Sequence, residues 1–347
     1  MKLLEPCQLN HLITLKNHIV MAPMTRNMAD DHLVPTQAMA DYYARRAGAG
    51  LVITEGTIIR PDGRGYSNTP GIYSQDQIAG WKTVTDQVHA QGGLIFCQIW
   101  HVGRVSHPLF LNGDLPLGPS ETTMSGKIKR AEGLYYGKNR ALSIQEILGL
   151  VTAYAKAAQN ARDAGFDGVE IHAANGYLID QFLHHATNLR TDNYGQTAEN
   201  MAKFAVDIVK ACGEAIGFER VGIRLSPAAY LNEIEEDHRD EAVFVALLNA
   251  LNKLPIAYVH TGNFDDSLNY SSIGGRTMTS FMRQHYQGKL VACGSYAIEK
   301  AEQGIQQNAF DCVAIGRRFI ANPNLVEKIQ KGLDLIDYSP DMLTSLN

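Results

Sequence analysis

The architecture of the chain can be read outward from one stretch, Gly168-Val-Glu-Ile-His172-Ala-Ala-Asn175-Gly176-Tyr177-Leu-Ile-Asp-Gln-Phe182. Its first part has the short apolar character of a buried strand. Three polar side chains, His172, Asn175 and Tyr177, come before the apolar pattern resumes. In barrels of alternating strands and helices, active sites lie at the carboxyl ends of the strands. We therefore expect two hydrogen-bond donors for an oxygen here, with a phenol beside them that offers a proton.

Apolar runs typical of strands recur eight times along the chain, and each is followed by a helical pattern. The predicted strands are 18–24, 51–54, 94–100, 169–172, 221–225, 256–260, 289–293 and 311–315. The predicted helices are 36–47, 75–91, 143–164, 200–215, 240–251, 279–287, 297–303 and 324–331. Unbroken apolar strands between amphipathic helices indicate a parallel sheet covered by helices. Eight such units predict an α/β fold, a single (β/α)8 TIM barrel over residues 1–347.

The alternative is an open doubly wound sheet. That fold usually carries a G-x-G-x-x-G turn after its first strand. The nearest match, Gly48-Ala-Gly50, precedes a strand, and Ile53 stands where the third glycine belongs. The dinucleotide-binding interpretation therefore fails.

The segment 102–142 is too long for an ordinary connection between a strand and a helix. It carries aromatic and basic residues, namely Phe110, Lys127, Lys129, Arg130, Tyr135 and Tyr136. Such insertions at the active face often form a lid or a wall, and a surface excursion along the side of the barrel is an equal alternative. Ser143 and Glu146 predict a capping box at the start of the next helix.

Composition excludes several classes of protein. The chain has 347 residues, 45% hydrophobic and 19% charged, with a net charge of −5, as in a globular enzyme and unlike a nucleic-acid-binding protein. No apolar run reaches membrane-spanning length, and no signal peptide is apparent. The five cysteines are scattered, which favours reduced thiols and a cytoplasmic location. His184-His185 has no cysteine or carboxylate at ligand spacing nearby, so no metal is assigned.

Residues at the other strand ends suggest a ligand. Gly294, Gly316 and Arg317 follow the last two strands, where such barrels often bind phosphate; these glycines also suit a simple strand end. Gln98 and Arg224 suit a flat heterocycle with carbonyl and N–H groups, such as a flavin. A salt bridge between Arg224 and Glu170 across the barrel is the structural alternative.

Five motifs in collinear order together resemble the Old Yellow Enzyme family of flavin-dependent alkene reductases. They are Met21-Ala-Pro-Met-Thr-Arg26, Gln98-Ile-Trp-His-Val-Gly-Arg104, His172-Ala-Ala-Asn-Gly-Tyr-Leu-Ile-Asp-Gln-Phe-Leu183, Asn188-Leu-Arg-Thr-Asp-Asn-Tyr-Gly195 and Ile315-Gly-Arg-Arg-Phe-Ile-Ala-Asn-Pro323. Thr25 stands where the thiol-bearing branch of the family has cysteine. The resemblance therefore places the chain with the classical branch.

The resemblance implies a non-covalent FMN site. The flavin ring would be lined by Pro23, Met24 and Thr25, with the Thr25 hydroxyl donating to flavin O4. Its pyrimidine side would contact Gly56 and Gln98, and Arg224 would lie by N1 and the C2 carbonyl. The 5′-phosphate would be held by Gly294, Gly316 and Arg317. His172 and Asn175 would bind the substrate's activating oxygen, Tyr177 would donate the proton, and Trp100 would shape the substrate pocket.

The implied reaction is the reduction of activated C=C bonds in enones, enals, maleimides and nitroalkenes. NADPH or NADH would reduce the flavin in the same pocket, and flavin N5 would then pass hydride to the alkene in a ping-pong sequence. Two alternatives stay open. One is a barrel lyase or hydrolase for a phosphorylated substrate, with Glu55 as base and His172 as acid. The other is a flavin-binding protein without catalysis, because family members commonly continue into a Gly- and Tyr-rich tail that is not seen after Asp341.

Overall fold

The computed structural model of the chain describes residues 1–128, 131, 133–228 and 230–346. Its barrel strands are β1 Ile19–Met21, β2 Leu51–Ile53, β3 Ile95–Trp100, β4 Gly168–Ala173, β5 Val221–Leu225, β6 Tyr258–Thr261, β7 Leu290–Cys293 and β8 Cys312–Ile315. Every neighbouring pair is parallel, β8 pairs with β1, and β2 pairs with β3. The sheet is therefore closed. This confirms the (β/α)8 prediction and excludes the open doubly wound alternative.

The helices are α1 Gln37–Ala44, α2 Gln75–Ala90, α3 Ile144–Asp163, α4 Leu178–Leu183, α5 Ala198–Ile216, α6 Asp240–Leu251, α7 Met278–His285, α8 Ile298–Gln306, α9 Arg317–Ala321 and α10 Leu325–Lys331. The capping box of Ser143 and Glu146 at the start of α3 is confirmed. The short helices α4 and α9 were not predicted. The first strand also ends at Met21, three residues early, because Pro23 has no N–H for a sheet hydrogen bond.

The amino-terminal end of the barrel is closed by a small hairpin. Cys7–Gln8 pairs antiparallel with Thr14–Leu15. The apolar side chains of the hairpin pack into the barrel interior against residues such as Phe96 and Tyr258. The hairpin thus covers the end opposite to the strand carboxyl ends. Removing this apolar surface from water stabilises the closed barrel.

The described part of segment 102–142 packs against Trp100, the last residue of β3. Arg104 donates to the carbonyl oxygens of Asn232 and Glu233, and the Glu233 carboxylate accepts from the N–H groups of Ser125 and Gly126. Two basic residues singled out in this segment, Lys129 and Arg130, lie outside the described residues. In the described part of the chain, no helix combines the length and apolar character needed to cross a bilayer.

Candidate active site

The stretch after β4 brings its three polar side chains to one place. His172 is the next-to-last residue of β4, and Tyr177 is the N-cap residue of α4. Between them, Asn175 and Gly176 have φ angles of 62° and 77°. A Cβ on Gly176 would come within 2.8 Å of the Asn232 Cβ. Gly176 therefore has to be a glycine in this left-handed turn, which returns the chain toward the barrel after the strand.

Aromatic rings from different parts of the chain surround these residues. The Tyr177 ring lies 4.7 Å from the Trp100 ring and 5.2 Å from the His172 ring, measured between centroids. Tyr66 stacks on Trp100 at 5.7 Å, and its hydroxyl is 3.0 Å from that of Tyr177. The predicted convergence of Trp100, His172 and Tyr177 is thus observed. Tyr66 also belongs to this group of rings, although no sequence motif indicated it.

Hydrogen bonds orient the amide of Asn175. Its Oδ1 accepts from the Tyr230 hydroxyl at 2.6 Å and from Ser226 Oγ at 3.2 Å. These two contacts occupy the oxygen, so the NH₂ group is the end left for a ligand. Neither Tyr230 nor Ser226 was identified from the sequence. Both lie in the segment after β5, whereas Asn175 follows β4.

His172 is a neutral imidazole with a free nitrogen. Burial, Arg224 and His260 together lower the pKa of His172 well below its ordinary value. Its Nδ1 is buried and has no hydrogen-bond partner among the described residues. Burial also raises the pKa of Tyr177 to about 12. The site therefore combines an uncharged His172 with a phenol that keeps its proton at neutral pH.

A polar layer crosses the barrel interior beside this site. Gln98 Nε2 donates to Glu170 Oε1 and His260 Nδ1 lies against Glu170 Oε2, both at 2.8 Å. Burial of Glu170 is outweighed by His260 and Arg224, which hold the pKa of this carboxyl below its ordinary value. These contacts keep Glu170 anionic and fix the Gln98 amide.

Arg224 does not form the salt bridge considered as an alternative. Its guanidinium contacts the Thr261 carbonyl at 3.5 Å and Cys293 Sγ at 3.7 Å. No carboxylate within the described ranges lies within 4.0 Å of it. The residue that pairs with Glu170 is His260, and not Arg224 as the alternative from the sequence had it. The guanidinium is therefore left with weak partners, as expected of a group that receives an anionic or strongly accepting ligand.

The loop after β1 lies half-buried at the same end of the barrel. It contributes Pro23, Met24 and Thr25. The Thr25 hydroxyl makes no hydrogen bond to the described residues. After the last strands, a Cβ on Gly316 would come within 3.2 Å of Met24 Sδ. The Gly316 backbone thus lies close to the Met24 side chain.

The remaining predicted residues follow β2, β7 and β8. A Cβ on Gly56 would lie 2.3 Å from the Trp100 ring, so glycine is required for that ring to pack. Gly294 has a φ of 155° and leaves no room for a side chain beside Asp266. Arg317 is exposed, and its guanidinium carbon lies 6.0 Å from the Tyr338 ring centroid. These residues therefore follow the carboxyl ends of their strands, whereas Gln98 and Arg224 lie within β3 and β5, close to those ends.

Glu55 has a structural environment. Its Oε2 accepts from the backbone N–H groups of Arg26 and Asn27, each at 3.0 Å, and Oε1 accepts from Tyr43. Burial raises the pKa of Glu55 to about 7. The carboxyl group thereby anchors the loop after β1. Its occupied oxygens argue against its use as the base of a lyase or hydrolase.

Comparison with known proteins agrees with this geometry. Residues 2–335 match the NADH:flavin oxidoreductase / NADH oxidase family. The chain is 40% identical to 12-oxophytodienoate reductase 7 of Oryza sativa subsp. japonica, over 93% of this chain and 86% of that protein. It is 39% identical to a probable flavin mononucleotide-dependent alkene reductase of Leishmania infantum, over 92% and 88%.

Solved structures give the same result. The old yellow enzyme homologue from Zymomonas mobilis superposes with a TM-score of 0.93 at 36% identity, covering 99% of this chain and 96% of that one. Morphinone reductase in complex with tetrahydroNAD superposes with a TM-score of 0.90 at 41% identity, covering 99% and 94%. The chain therefore belongs to the NADH:flavin oxidoreductase / NADH oxidase family and, within it, to the Old Yellow Enzymes.

Proposed function

We propose that the protein is an FMN-dependent NAD(P)H oxidoreductase that reduces activated C=C bonds. The observation that carries this proposal is the arrangement of two unengaged donors, on neutral His172 and on the oriented Asn175 amide, next to the protonated phenol of Tyr177. Electron-poor alkenes such as enones, enals, maleimides and nitroalkenes carry an oxygen that accepts from such donors and a carbon that needs a proton.

The residues around the barrel mouth fit FMN. The Thr25 hydroxyl has no hydrogen-bond partner in the part of the chain that the structure describes. Together with the fixed Gln98 amide and the weakly engaged Arg224, it suits the polar edge of a flavin. Gly294, Gly316 and Arg317 would hold its phosphate, since backbone N–H groups and a guanidinium are good phosphate donors. When bound, FMN supplies the hydride for the alkene.

In the proposed reaction, side chains of the protein stabilise the negative charge on the substrate oxygen and supply the proton. His172 and Asn175 would donate to the activating oxygen and stabilise the negative charge that builds up on it, by about 3–4 kcal/mol per donor. Tyr177 would then release the proton on its hydroxyl to the α-carbon, with the Tyr66 hydroxyl 3.0 Å away to stabilise the oxygen left behind. NADPH or NADH would occupy the same pocket in a separate half-reaction, which gives ping-pong kinetics.

We further propose that the whole chain acts as one domain in which segment 102–142 forms a wall of this pocket. Met124, Ile128 and Tyr136 of the segment belong to one buried cluster with Tyr66 and Trp100. Packing of this kind supports the rings that contact Tyr177. It favours a wall over an excursion along the outside of the barrel.

One anaerobic experiment tests the proposal. The purified protein should be yellow, NADPH or NADH should bleach it, and cyclohexenone should restore the colour. A colourless protein that does not take up added FMN would contradict the proposal and favour the lyase or hydrolase alternative. A yellow protein that neither nicotinamide bleaches would indicate a flavin-binding protein without catalysis.

A further inference from the structure

Three potential metal ligands meet at the amino-terminal end of the barrel, opposite to the active site. Cys7 begins the hairpin that closes this end, His18 precedes β1, and Cys312 begins β8. One atom from each, two sulfurs and a ring nitrogen, all lie within 4.8 Å of one another. All three side chains are buried. Cys7 and Cys312 are 305 positions apart, so no spacing motif links them.

The distance between the two sulfurs suits a shared metal ion. Cys7 Sγ and Cys312 Sγ are 3.7 Å apart, far longer than a disulfide bond of about 2.0 Å. A tetrahedral zinc ion with Zn–S bonds of about 2.3 Å would hold two thiolate sulfurs about 3.8 Å apart. The sulfurs therefore need almost no movement to bind zinc.

The His18 ring makes a hydrogen bond of the kind that metal-binding imidazoles make. Its Nδ1 lies 2.5 Å from the Asp311 carbonyl oxygen, to which it donates, and this leaves Nε2 with the lone pair. Histidine ligands in metal sites characteristically donate their second N–H to a carbonyl or carboxylate in this way. The Asp311 contact is an observation independent of the cysteine pair.

A lysine close to the site does not oppose a divalent cation there. Lys289 lies near both sulfurs, but it is paired with Asp311 Oδ1 at 2.9 Å. Two thiolates would neutralise a 2+ ion, so this lysine would not repel the occupied site.

We infer that Cys7, His18 and Cys312 form a binding site for a thiophilic divalent cation, specifically Zn²⁺, that fastens the amino-terminal hairpin to β8. Two thiolates and one imidazole are a ligand set that selects zinc over Mg²⁺ or Ca²⁺. Three protein ligands leave the fourth position for water. The site is structural in this inference, and the reaction at the other end of the barrel does not depend on it.

Titration of the full-length protein with Zn²⁺ tests this inference. The protein is reduced, freed of metal with a chelator and titrated with Zn²⁺ in a calorimeter. We expect one equivalent per chain and a rise in Tm on binding. Zinc absorption spectroscopy should show two sulfur ligands at about 2.3 Å and a nitrogen ligand at about 2.0 Å.

Variants identify the ligands. Cys7→Ser and Cys312→Ser should lose the stoichiometric binding and the rise in Tm, whereas Cys212→Ala, which alters a buried thiol on α5, should keep both. His18→Gln provides a third ligand variant, and circular dichroism shows whether each variant is folded. Binding that persists in both cysteine variants would overturn the inference.

The parent protein supplies the second decisive result. If the reduced parent binds no Zn²⁺ and its Cys7 and Cys312 instead isolate as a disulfide after exposure to air, the pair is a redox dithiol and the inference is wrong. Failure of the alkene-reductase proposal would not affect either result, because Zn²⁺ binding is read without any turnover.

Discussion

Tyr177 has the most specific role in the proposed reaction, that of the proton donor. Burial raises its pKa to about 12, so it holds its proton throughout the neutral range. The Tyr66 hydroxyl is its hydrogen-bond partner. A proton donor of this kind matters only in the half-reaction with the alkene.

Replacing Tyr177 by Phe should slow reoxidation by cyclohexenone by about 10²–10⁴-fold, the usual contribution of a general acid. Bleaching by the nicotinamide should be almost unchanged, because hydride uptake needs no proton from this residue. Stopped-flow measurement of the two half-reactions checks this. Tyr66→Phe, which keeps the Tyr177 hydroxyl, is the matched comparison and should show a smaller loss. Equal reoxidation rates in Tyr177→Phe and the parent would show that Tyr177 is not the proton donor.

Tyr230 is predicted to act through Asn175. Its hydroxyl holds the Asn175 oxygen at 2.6 Å, so Tyr230→Phe should let the amide rotate and weaken the contact with the substrate oxygen. One net hydrogen bond is worth about 1 kcal/mol, so the second-order rate with alkene should fall roughly fivefold. In Asn175→Ala the same substitution should have no further effect. Additive losses in the double variant would show that Tyr230 acts by another route.

At the scale of elements, the capping box of α3 was predicted from Ser143 and Glu146 alone, and the helix begins there. Ser143→Ala should lower the free energy of unfolding by about 1 kcal/mol, because the N–H of Glu146 loses its acceptor. Thr152→Ala, an exposed change within the same helix, should be neutral or stabilising. Denaturant midpoints measure both. A loss in Thr152→Ala as large as that in Ser143→Ala would contradict the capping explanation.

Segment 102–142 gives a second prediction at this scale. The Glu233 carboxylate accepts from the N–H groups of Ser125 and Gly126. Glu233→Ala should therefore loosen the segment, speed its limited proteolysis and raise KM for the alkene. Glu235→Ala changes a nearby carboxylate that makes no hydrogen bond within the described residues, and it should have neither effect. Unchanged proteolysis and KM in Glu233→Ala would count against segment 102–142 as a wall of the pocket.

At the scale of the whole molecule, His184 links two helices through buried charge. Its ring lies 2.7 Å from Asp240 on α6 and 3.3 Å from Asp180 on α4. Burial would lower its pKa, but the two carboxylates outweigh burial and raise it to about 10. His185 also lies 2.7 Å from Asp240. The expectation that no carboxylate stands at ligand spacing from this histidine pair is therefore wrong, since Asp180 lies four residues before His184 and contacts it.

Stability should consequently depend on pH. Between pH 6.5 and 10 the folded protein keeps a proton on His184 that the unfolded chain releases, so the free energy of unfolding falls as pH rises through this window. His184→Asn should flatten that slope and lower stability at pH 7 by about 3–5 kcal/mol, the usual effect of breaking a buried ion pair. Denaturant unfolding at several pH values measures it. A parallel slope in parent and variant would refute this role for His184.

The amino-acid sequence by itself determined the eight barrel strands and the helix that follows each of them, the closed barrel, and the carboxyl-end location of His172, Asn175, Tyr177 and Arg317, but not the short helices α4 and α9. It could do so because apolar periodicity is local, and a parallel barrel places all strand ends of one kind on one face. Element ends were predicted less well: the strand expected to reach Met24 ends at Met21, and the Ala22 N–H makes one more bond to the Ile315 carbonyl oxygen before Pro23, which has no N–H.

Only the tertiary structure decided which side chains meet across the barrel. His260, not Arg224, pairs with Glu170; Tyr66 joins Tyr177; and Cys7 meets Cys312. Each of these contacts joins segments far apart in sequence. Their geometry depends on strand register and barrel closure, because a one-residue shift turns a strand's side chains to the other face of the sheet. No pattern within a single segment carries that information.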